Sequence, residues 1–298
     1  MQRPEAISRR EGLKRILQCS AGSLLAFQNA TRTEKDSSFL TDIGVCTSLS
    51  NHAILYQHGC AFVEEKVSDF LLPDKPEAEF LAVLPTLRKA LLPVYACRIF
   101  LPGSLPCVGD AVKQEALSAY AETALRRAGQ ASVKIIVFGS GSARRIPSGF
   151  DADKARAQLI GFLRQTASMA ARYGVTIVFE PLNRRETNMV NRVRQGAEIV
   201  EAVDHSSLKM LVDIYHMYQE GEAAQEIARA GRLIHHCHIA ELESRTAPVT
   251  MKDDFRPFFR ALKDAGYRGK LCIESSWENL ATQLPAALQV LRKQISEA

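Results

Sequence analysis

Short apolar segments alternate with longer amphipathic segments from about residue 40 to the end of this 298-residue chain, and this alternation limits the fold more than any other feature. Eight short runs have the length and composition of β-strands: 43–46, 61–64, 94–100, 133–138, 176–180, 209–213, 234–238 and 270–274. Between and after them, apolar residues recur at helical spacing in 76–90, 112–128, 153–173, 196–203, 223–230, 255–265 and 280–295. Strands that alternate with helices predict a parallel sheet, and eight such units in about 260 residues are typical of a (β/α)₈ barrel, the TIM barrel. One α/β barrel domain is therefore predicted for residues 40–298.

An open, doubly wound sheet is the alternative for such a pattern. It usually carries a glycine-rich phosphate loop after its first strand, and none follows residue 46. The run from Gly139 to Ser142 comes after the fourth strand and lacks the spacing of a dinucleotide-binding motif. We interpret it as a tight loop that contacts the substrate.

The first 30 residues differ from the rest and are predicted to direct export. Arg9 and Arg10 are followed by Leu13 and Lys14, and a short apolar stretch occupies residues 16–27. A charged region, a short apolar region and then small residues are the order of a signal peptide, and the paired arginines resemble a twin-arginine signal. The stretch is too short for a transmembrane helix. The prediction is a periplasmic or exported protein without stable membrane insertion; the alternative is a cytoplasmic protein with an amphipathic N-terminal helix.

Composition and cysteine spacing exclude several classes of protein. With 46% hydrophobic and 24% charged residues, the chain is typical of a globular protein. Its net charge of +5 includes no dense Lys/Arg block beyond the N-terminus, so no nucleic-acid partner is predicted. The seven cysteines form no CxxC pair and no zinc-finger spacing. Cys46, Cys97, Cys237 and Cys272 lie in predicted strands and are interpreted as small buried hydrophobic residues.

Each of the last four predicted strands ends on a side chain that can bind a metal. These residues are Glu180, Asp213, His238 and Glu274. Because the carboxyl ends of parallel barrel strands share one rim, we expect the four side chains to converge where barrel enzymes place their active sites. Any one of them alone also fits a helix cap or an ion pair. The prediction of a common site therefore depends on the fact that four consecutive strands all end on such a residue.

Three carboxylates and an imidazole buried side by side predict a cation between them, because the charges would otherwise repel without solvent. One divalent ion is expected, and an oxygen-rich ligand set favours Mn²⁺, Mg²⁺ or Co²⁺, with Zn²⁺ as a further candidate. Strand alternation directs His236 to the same side as His238 and His235 to the other. Spacing alone does not decide which of the three is the ligand.

A second set of polar residues follows the strand ends and is predicted to bind substrate hydroxyl and carbonyl oxygens. It consists of Glu186, His216 and Arg245. The alternatives are that His216 has only a structural role, that Arg245 anchors a loop, and that Glu186 forms a surface ion pair with Arg184 or Arg185. Earlier in the chain, Glu64, Glu65 and His52 are candidates to face the site and receive no assigned role.

These residues carry a resemblance to the xylose-isomerase-like barrel superfamily, and within it to the sugar isomerase and epimerase branch with ketose 3-epimerases and hydroxypyruvate isomerase. The resemblance covers roughly residues 40–295 and depends on four segments: Glu180-Pro-Leu-Asn, Asp213-x-x-His216, His236-Cys-His238-x-Ala-Glu and Ile273-Glu274-Ser. It implies one divalent metal on Glu180, Asp213, His238 and Glu274, and substrate contacts from Glu186, His216 and Arg245. It also implies a small carbohydrate substrate and allows a homo-oligomer.

The resemblance implies a metal-dependent sugar isomerase or epimerase that moves a proton next to a carbonyl through an enediolate. Glu180 and Glu274 would act from opposite faces, one as base and one as acid. Return of the proton to the far face of the same carbon gives an epimerase, and return to the adjacent carbon gives an isomerase. Loss of a β-hydroxyl would give a lyase. An endonuclease IV-like phosphodiesterase with several metals and a non-catalytic sugar-binding barrel remain as other hypotheses.

Overall fold

Eight parallel strands close into a barrel in the order in which they occur in the chain. Each strand pairs with its neighbours in parallel, and the last returns to the first, with Gly44 opposite Cys272. The predicted (β/α)₈ barrel is confirmed, and the open sheet is excluded. The strands are β1 (Ile43–Cys46), β2 (Phe62–Lys66), β3 (Val94–Arg98), β4 (Ile135–Phe138), β5 (Thr176–Phe179), β6 (Leu208–Asp213), β7 (Ile234–Ile239) and β8 (Lys270–Ile273).

The structure, a computed structural model, describes residues 39–250 and 252–298. Residues 42–298 form the barrel unit. The predicted export signal lies outside the described residues, so it stays a prediction. Within the described part of the chain, no helix combines the length and the apolar character needed to cross a membrane.

Helices alternate with the strands around the barrel. Two of the long ones, α4 and α9, begin where a side chain caps the first turn: Asp151 accepts a hydrogen bond from the Lys154 amide at 2.8 Å at the start of α4, and Asn279 accepts one from the Thr282 amide at 3.1 Å at the start of α9. Leu159, Phe162 and Leu163 form the buried face of that helix, as their spacing predicts. The helices are α1 (His52–Gln57), α2 (Glu77–Lys89), α3 (Gln114–Gln130), α4 (Ala152–Arg172), α5 (Val193–Val203), α6 (Ile214–Gln219), α7 (Gln225–Ala230), α8 (Arg256–Asp264) and α9 (Leu280–Ser296).

The barrel interior has two chemically different walls. An aliphatic wall on β3 to β6 consists of Ala96, Ile135, Val137, Val178 and Leu211. The opposite wall, on β1, β2, β7 and β8, contains the cluster of Cys46, Phe62 and Cys272 together with the buried polar residues Glu64, His236 and His238. The predicted burial of the strand cysteines, all reduced, is confirmed for Cys46, Cys97, Cys237 and Cys272.

Candidate metal centre and active site

The ends of β5 to β8 bring the four predicted ligands together. One donor atom from each of Glu180, Asp213, His238 and Glu274 lies within 4.8 Å of the others. Backbone pairing fixes two of these ends: the Glu180 amide donates to Phe138 at 3.1 Å, and the Glu274 amide donates to Ile239 at 3.1 Å. The convergence expected from a common rim is therefore present, while the role of these residues as ligands stays a prediction.

The site fits a divalent cation. Glu180, Asp213 and His238 are buried, and Oε1 of Glu180 has no hydrogen-bond partner. Nδ1 of His238 lies 2.9 Å from Oε2 of Glu274 and 3.7 Å from Oε1 of Glu180. Buried carboxylate oxygens without donors are costly, and a cation bound between them would satisfy them. Three carboxylates and one ring nitrogen are a donor set that Mn²⁺, Mg²⁺, Co²⁺ and Zn²⁺ accept.

The protein charges around the two glutamates differ. Burial raises the pKa of Glu180 above its usual range. Burial acts in the same direction on Glu274, but the nearby charges of Arg245 and His238 outweigh it and hold the pKa of Glu274 well below its usual range. The pKa values of the two carboxyl groups are therefore shifted in opposite directions although the groups share one site.

His216 presents an N–H group to this site. Oδ1 of Asn183 accepts hydrogen bonds from the amides of Arg185 and Glu186, at 3.0 and 3.3 Å, so its Nδ2 must be the donor to Nδ1 of His216, at 2.8 Å. With Nδ1 as acceptor, the ring proton resides on Nε2. That atom has no hydrogen-bond partner and lies 3.5 Å from Oδ2 of Asp213. The geometry thus leaves a buried N–H group without an acceptor at this site, and its use by a substrate stays a prediction.

Arg245 connects the rim carboxylates to one another. Its Nη2 contacts Asp213 at 2.9 Å and Glu274 at 2.7 Å, and its Nη1 contacts Glu186 at 3.2 Å. The guanidinium lies over the ring of Tyr215, 4.6 Å from its centroid. Its backbone has a φ of 51°, which is rare for a side chain of this size and is often found at functional sites. Arg245 therefore lies among the strand-end carboxylates, while its contact with a substrate stays a prediction.

A cavity of about 310 Å³ is lined by two of the four strand-end residues, Glu180 and Glu274, and lies within the size range of small-molecule sites. The predicted contact loop from Gly139 to Ser142 forms one wall of it. Arg98 and Ile99 form another wall, and Nη1 of Arg98 lies 3.4 Å from Oε1 of Glu274. The cavity is lined by Arg98, Ile99, Leu101, Gly103, Gly139, Ser140, Gly141, Ser142, Ala143, Glu180, Leu182, Glu186, His216, Arg245 and Glu274.

Sequence reasoning did not identify Arg98 or the buried Arg144. Arg98 is the last residue of β3, and the predicted strand extended two residues beyond it, which hid its place at a strand end. Arg144 donates to three backbone carbonyls, those of Gly139, Glu180 and Met189, at 2.7, 2.6 and 3.1 Å. Burial lowers the pKa of Arg144 to about 10, so it remains charged at neutral pH. Because every residue has a backbone carbonyl, hydrogen bonds of this kind cannot be recognised from the sequence.

Of the three early candidates, Glu64 faces the barrel interior. Its Oε2 lies 2.8 Å from Nε2 of the buried His236, whereas His235 is exposed, as strand alternation predicts. Glu65 instead accepts a hydrogen bond from the Leu49 amide. His52 accepts one from the Leu91 amide at 3.2 Å.

Comparison with known proteins gives both a family and a fold. Residues 53–294 match the profile of the xylose isomerase-like TIM barrel family. An L-ribulose 3-epimerase of Methylomonas sp. is 34% identical over 121 residues, 40% of this chain and 42% of that protein. A hydroxypyruvate isomerase of Escherichia coli is 27% identical over 128 residues, 42% of this chain and 50% of that protein. This chain thus spans half or less of the length of these curated relatives.

Solved structures support the same fold. The structure of D-psicose 3-epimerase with D-tagatose from Clostridium cellulolyticum superposes with a TM-score of 0.73. The alignment covers 85% of this chain and 99% of that one, at 19% identity. At such low sequence identity, this structural similarity shows only that the two proteins share the barrel fold.

Proposed function

We propose that this chain, which belongs to the xylose isomerase-like TIM barrel family, is a metal-dependent isomerase or epimerase that moves a proton next to the carbonyl of a small sugar. Relatives named as epimerases and isomerases support the reaction class. The observation that carries the proposal is the convergence of Glu180 and Glu274, which line the cavity, with the buried Asp213 and His238. A barrel that only binds a sugar would not need both Glu180 and Glu274.

Each residue of the site has a separate task in this proposal. A divalent ion held by Glu180, Asp213, His238 and Glu274, with Mn²⁺, Mg²⁺ or Co²⁺ favoured over Zn²⁺, would polarise the substrate carbonyl and stabilise negative charge on the carbon that loses its proton. Glu180 and Glu274 exchange that proton from opposite faces of the substrate.

The substrate is held by three further side chains. Nε2–H of His216 donates to a substrate oxygen, and the guanidinium of Arg245 donates to a second one. Glu186 accepts from a hydroxyl, since Arg245 and Asn183 already orient its carboxylate. A polar cavity of this kind suits a polyhydroxy compound with one carbonyl group.

The reaction is tested by incubation of the metal-loaded protein with a panel of ketoses and their acid analogues in deuterated water. We expect deuterium on the carbon next to the carbonyl, and the product identifies inversion at that carbon or transfer of the carbonyl to its neighbour. Release of water would show a lyase. No exchange and no product with any substrate, or cleavage of a phosphodiester, would contradict the proposal.

Glutamine variants test the two glutamates. Glu180→Gln and Glu274→Gln keep an oxygen at the site but cannot accept a proton, so we expect each to lower kcat by about 10²- to 10⁴-fold with a much smaller change in substrate affinity. Glu198→Gln, which alters only an exposed pair with Arg194 on α5, is the matched control. Metal content is measured in each variant, because both glutamates are also proposed ligands. Wild-type exchange rates in both metal-loaded variants would exclude the mechanism.

The metal assignment is tested separately with Asp213→Asn. Loss of one carboxylate from the ligand set should lower the affinity for Mn²⁺ while the barrel remains folded. Elemental analysis after dialysis measures the bound metal. Full metal content in Asp213→Asn would contradict the assignment.

We also propose that residues 1 to about 30 direct export through a twin-arginine pathway. Arg9→Lys together with Arg10→Lys should retain the protein in the cytoplasm of its native host. Cell fractionation measures this, and a cytoplasmic location of the wild-type protein would contradict it.

A further inference from the structure

A second group of potential metal ligands lies inside the barrel, next to the rim site. It consists of Cys46 on β1, Glu64 on β2, His238 on β7 and Cys272 on β8, and one donor atom from each lies within 4.8 Å of the others. The two sulfur atoms are 3.5 Å apart, and all four residues are buried. Three of these four residues have no place in the proposed reaction.

Two atoms of this group lack a hydrogen-bond partner. Oε1 of Glu64 and Nε2 of His238 lie 3.0 Å apart, but neither has a hydrogen bond of acceptable geometry. Both side chains are fully buried. An ion placed between this carboxylate oxygen and this ring nitrogen would contact both atoms and satisfy them.

We propose that Cys46, Glu64, His238 and Cys272 form a second metal site, which binds zinc through two thiolates, one carboxylate oxygen and one imidazole nitrogen. Tetrahedral zinc with bonds of about 2.0–2.3 Å places its ligand atoms about 3.3–3.8 Å apart. The sulfur–sulfur distance already lies in this range, and the oxygen–nitrogen distance needs to widen by a few tenths of an ångström. Thiolate ligands select zinc over Mn²⁺ and Mg²⁺, so the two sites would differ in the ions that they hold.

A positive charge lies near this site. Zinc binding displaces one proton from each thiol to solvent, so the two thiolates and the carboxylate, together with the His238 ring shared between the two sites, exceed the charge of the ion. The guanidinium of Arg98 lies close enough to Cys46, Glu64 and Cys272 for their charges to raise its pKa. His236 holds the other carboxylate oxygen of Glu64 at 2.8 Å, which is the usual way in which a second residue orients a ligand.

His238 connects the two sites because its ring nitrogens point in opposite directions. Nδ1 faces the rim carboxylates, and Nε2 faces Glu64 and the thiols. With an ion in each site, the ring would have lost its remaining proton to solvent, and each ring nitrogen would hold one ion. Four protein ligands close the inner site to substrate, so its task is to fix the orientation of His238. Only His238 is shared with the proposed function, and either proposal can fail without the other.

Cobalt replacement in the wild-type protein is the first test, because it requires no variant. Co²⁺ bound by two thiolates in a tetrahedral site gives an intense sulfur-to-metal charge-transfer band in the near ultraviolet, which an oxygen-rich rim site does not give. We expect this band together with one zinc per chain in the protein as purified, in addition to the rim metal. Absence of the band and of the zinc would overturn the proposal.

Three variants locate the zinc. Cys46→Ser and Cys272→Ser should each lose the band and the zinc, while Asp213→Asn should lose only the rim metal. Cys107→Ser is the control, since Cys107 is equally buried but lies outside the group. Zinc and band retained in both cysteine variants, or lost equally in the control, would contradict the assignment. Deuterium exchange measured in the same samples separates this result from the fate of the proposed reaction.

Discussion

At the scale of single residues, an absent side chain determines where Glu180 lies. Gly139 follows β4, and a Cβ atom built on it would lie 2.3 Å from Oε2 of Glu180. The guanidinium of Arg144 binds the carbonyl oxygens of both residues, so the loop and the strand end behave as one unit. The carboxylate has its position only because nothing larger than hydrogen occupies residue 139.

Gly139→Ala should therefore displace the Glu180 carboxylate without unfolding the barrel, because the atom in conflict is the end of a side chain and not backbone. A displacement of about 1 Å at a reacting group lowers turnover by roughly 10²-fold. Gly161→Ala is the matched control: it lies in α4 with no atom within 4 Å of an added Cβ. It should leave turnover unchanged and stabilise the helix by up to about 1 kcal/mol. Steady-state kinetics and urea unfolding measure both, and wild-type turnover in Gly139→Ala would contradict the argument.

At the scale of elements, a charged anchor joins α3 to the segment before α2. Arg127 on α3 is almost fully buried and donates to the carbonyls of Leu71 and Lys75, at 3.0 and 2.9 Å, and to Glu77 at 3.0 Å. Arg126 adds two hydrogen bonds to the same Glu77 carboxylate, at 2.8 and 2.7 Å. One carboxylate at the start of α2 thus pairs with two neighbouring arginines.

This anchor predicts a pH-dependent contribution to stability. The hydrogen bond from Arg126 is the main cause that lowers the pKa of Glu77 from 4.5 to about 2, with Arg127 assisting. Because the folded pKa is the lower one, the contribution is present above about pH 4.5 and is lost as the pH falls towards 2. Glu77→Gln should lower the free energy of unfolding at neutral pH, and its difference from wild type should shrink below pH 4.5. Urea unfolding across this range measures it, with Glu198→Gln as an exposed control that should have little effect. If the free energy of unfolding of Glu77→Gln differs from that of wild type by the same amount at every pH, the stabilising role of the Glu77 carboxylate is contradicted.

How much the sequence predicts also depends on the element. The bounds of the strands were predicted to within two residues, because parallel strands buried on both faces are continuous apolar runs. The four strand-end residues followed from that, since one rim collects them whatever their spacing along the chain. Of the three six-residue helices, α7 falls within the predicted segment 223–230, whereas α1 and α6 were not predicted. The pair of Cys46 and Cys272, 226 residues apart, depends on how β8 registers with β1, which no local pattern contains.

At the scale of the whole molecule, metal binding and folding should be linked. Glu180, Asp213 and Glu274 lie close together only in the folded barrel, so the unfolded chain has no equivalent site. An ion at about 100 times its dissociation constant then stabilises the fold by about 2.7 kcal/mol. Closure of the barrel itself supplies the rest of the stability through its apolar core.

Removal of metal with a chelator should therefore lower Tm, and added Mn²⁺ should restore it by about 5 to 10 °C. Differential scanning calorimetry of the chelated protein with increasing Mn²⁺ measures the shift. Asp213→Asn should respond far less to Mn²⁺ than wild type. An equal response in the two proteins would mean that Mn²⁺ stabilises the fold from elsewhere.

The two halves of the chain supply different parts of the site, and this has a consequence for recombination between related genes. The proposed rim ligands all come from the half of the chain that begins at β5, whereas Arg98, Ile99 and the loop from Gly139 to Ser142 belong to the half before it. A crossover placed between β4 and β5 would exchange those walls of the cavity as one block and leave the ligand set whole. Chimeras with related barrels are thus expected to inherit their chemistry from one parent and part of their preference among substrates from the other. Directed evolution of selectivity can then begin with a short stretch of the gene, from β3 to the end of the loop after β4.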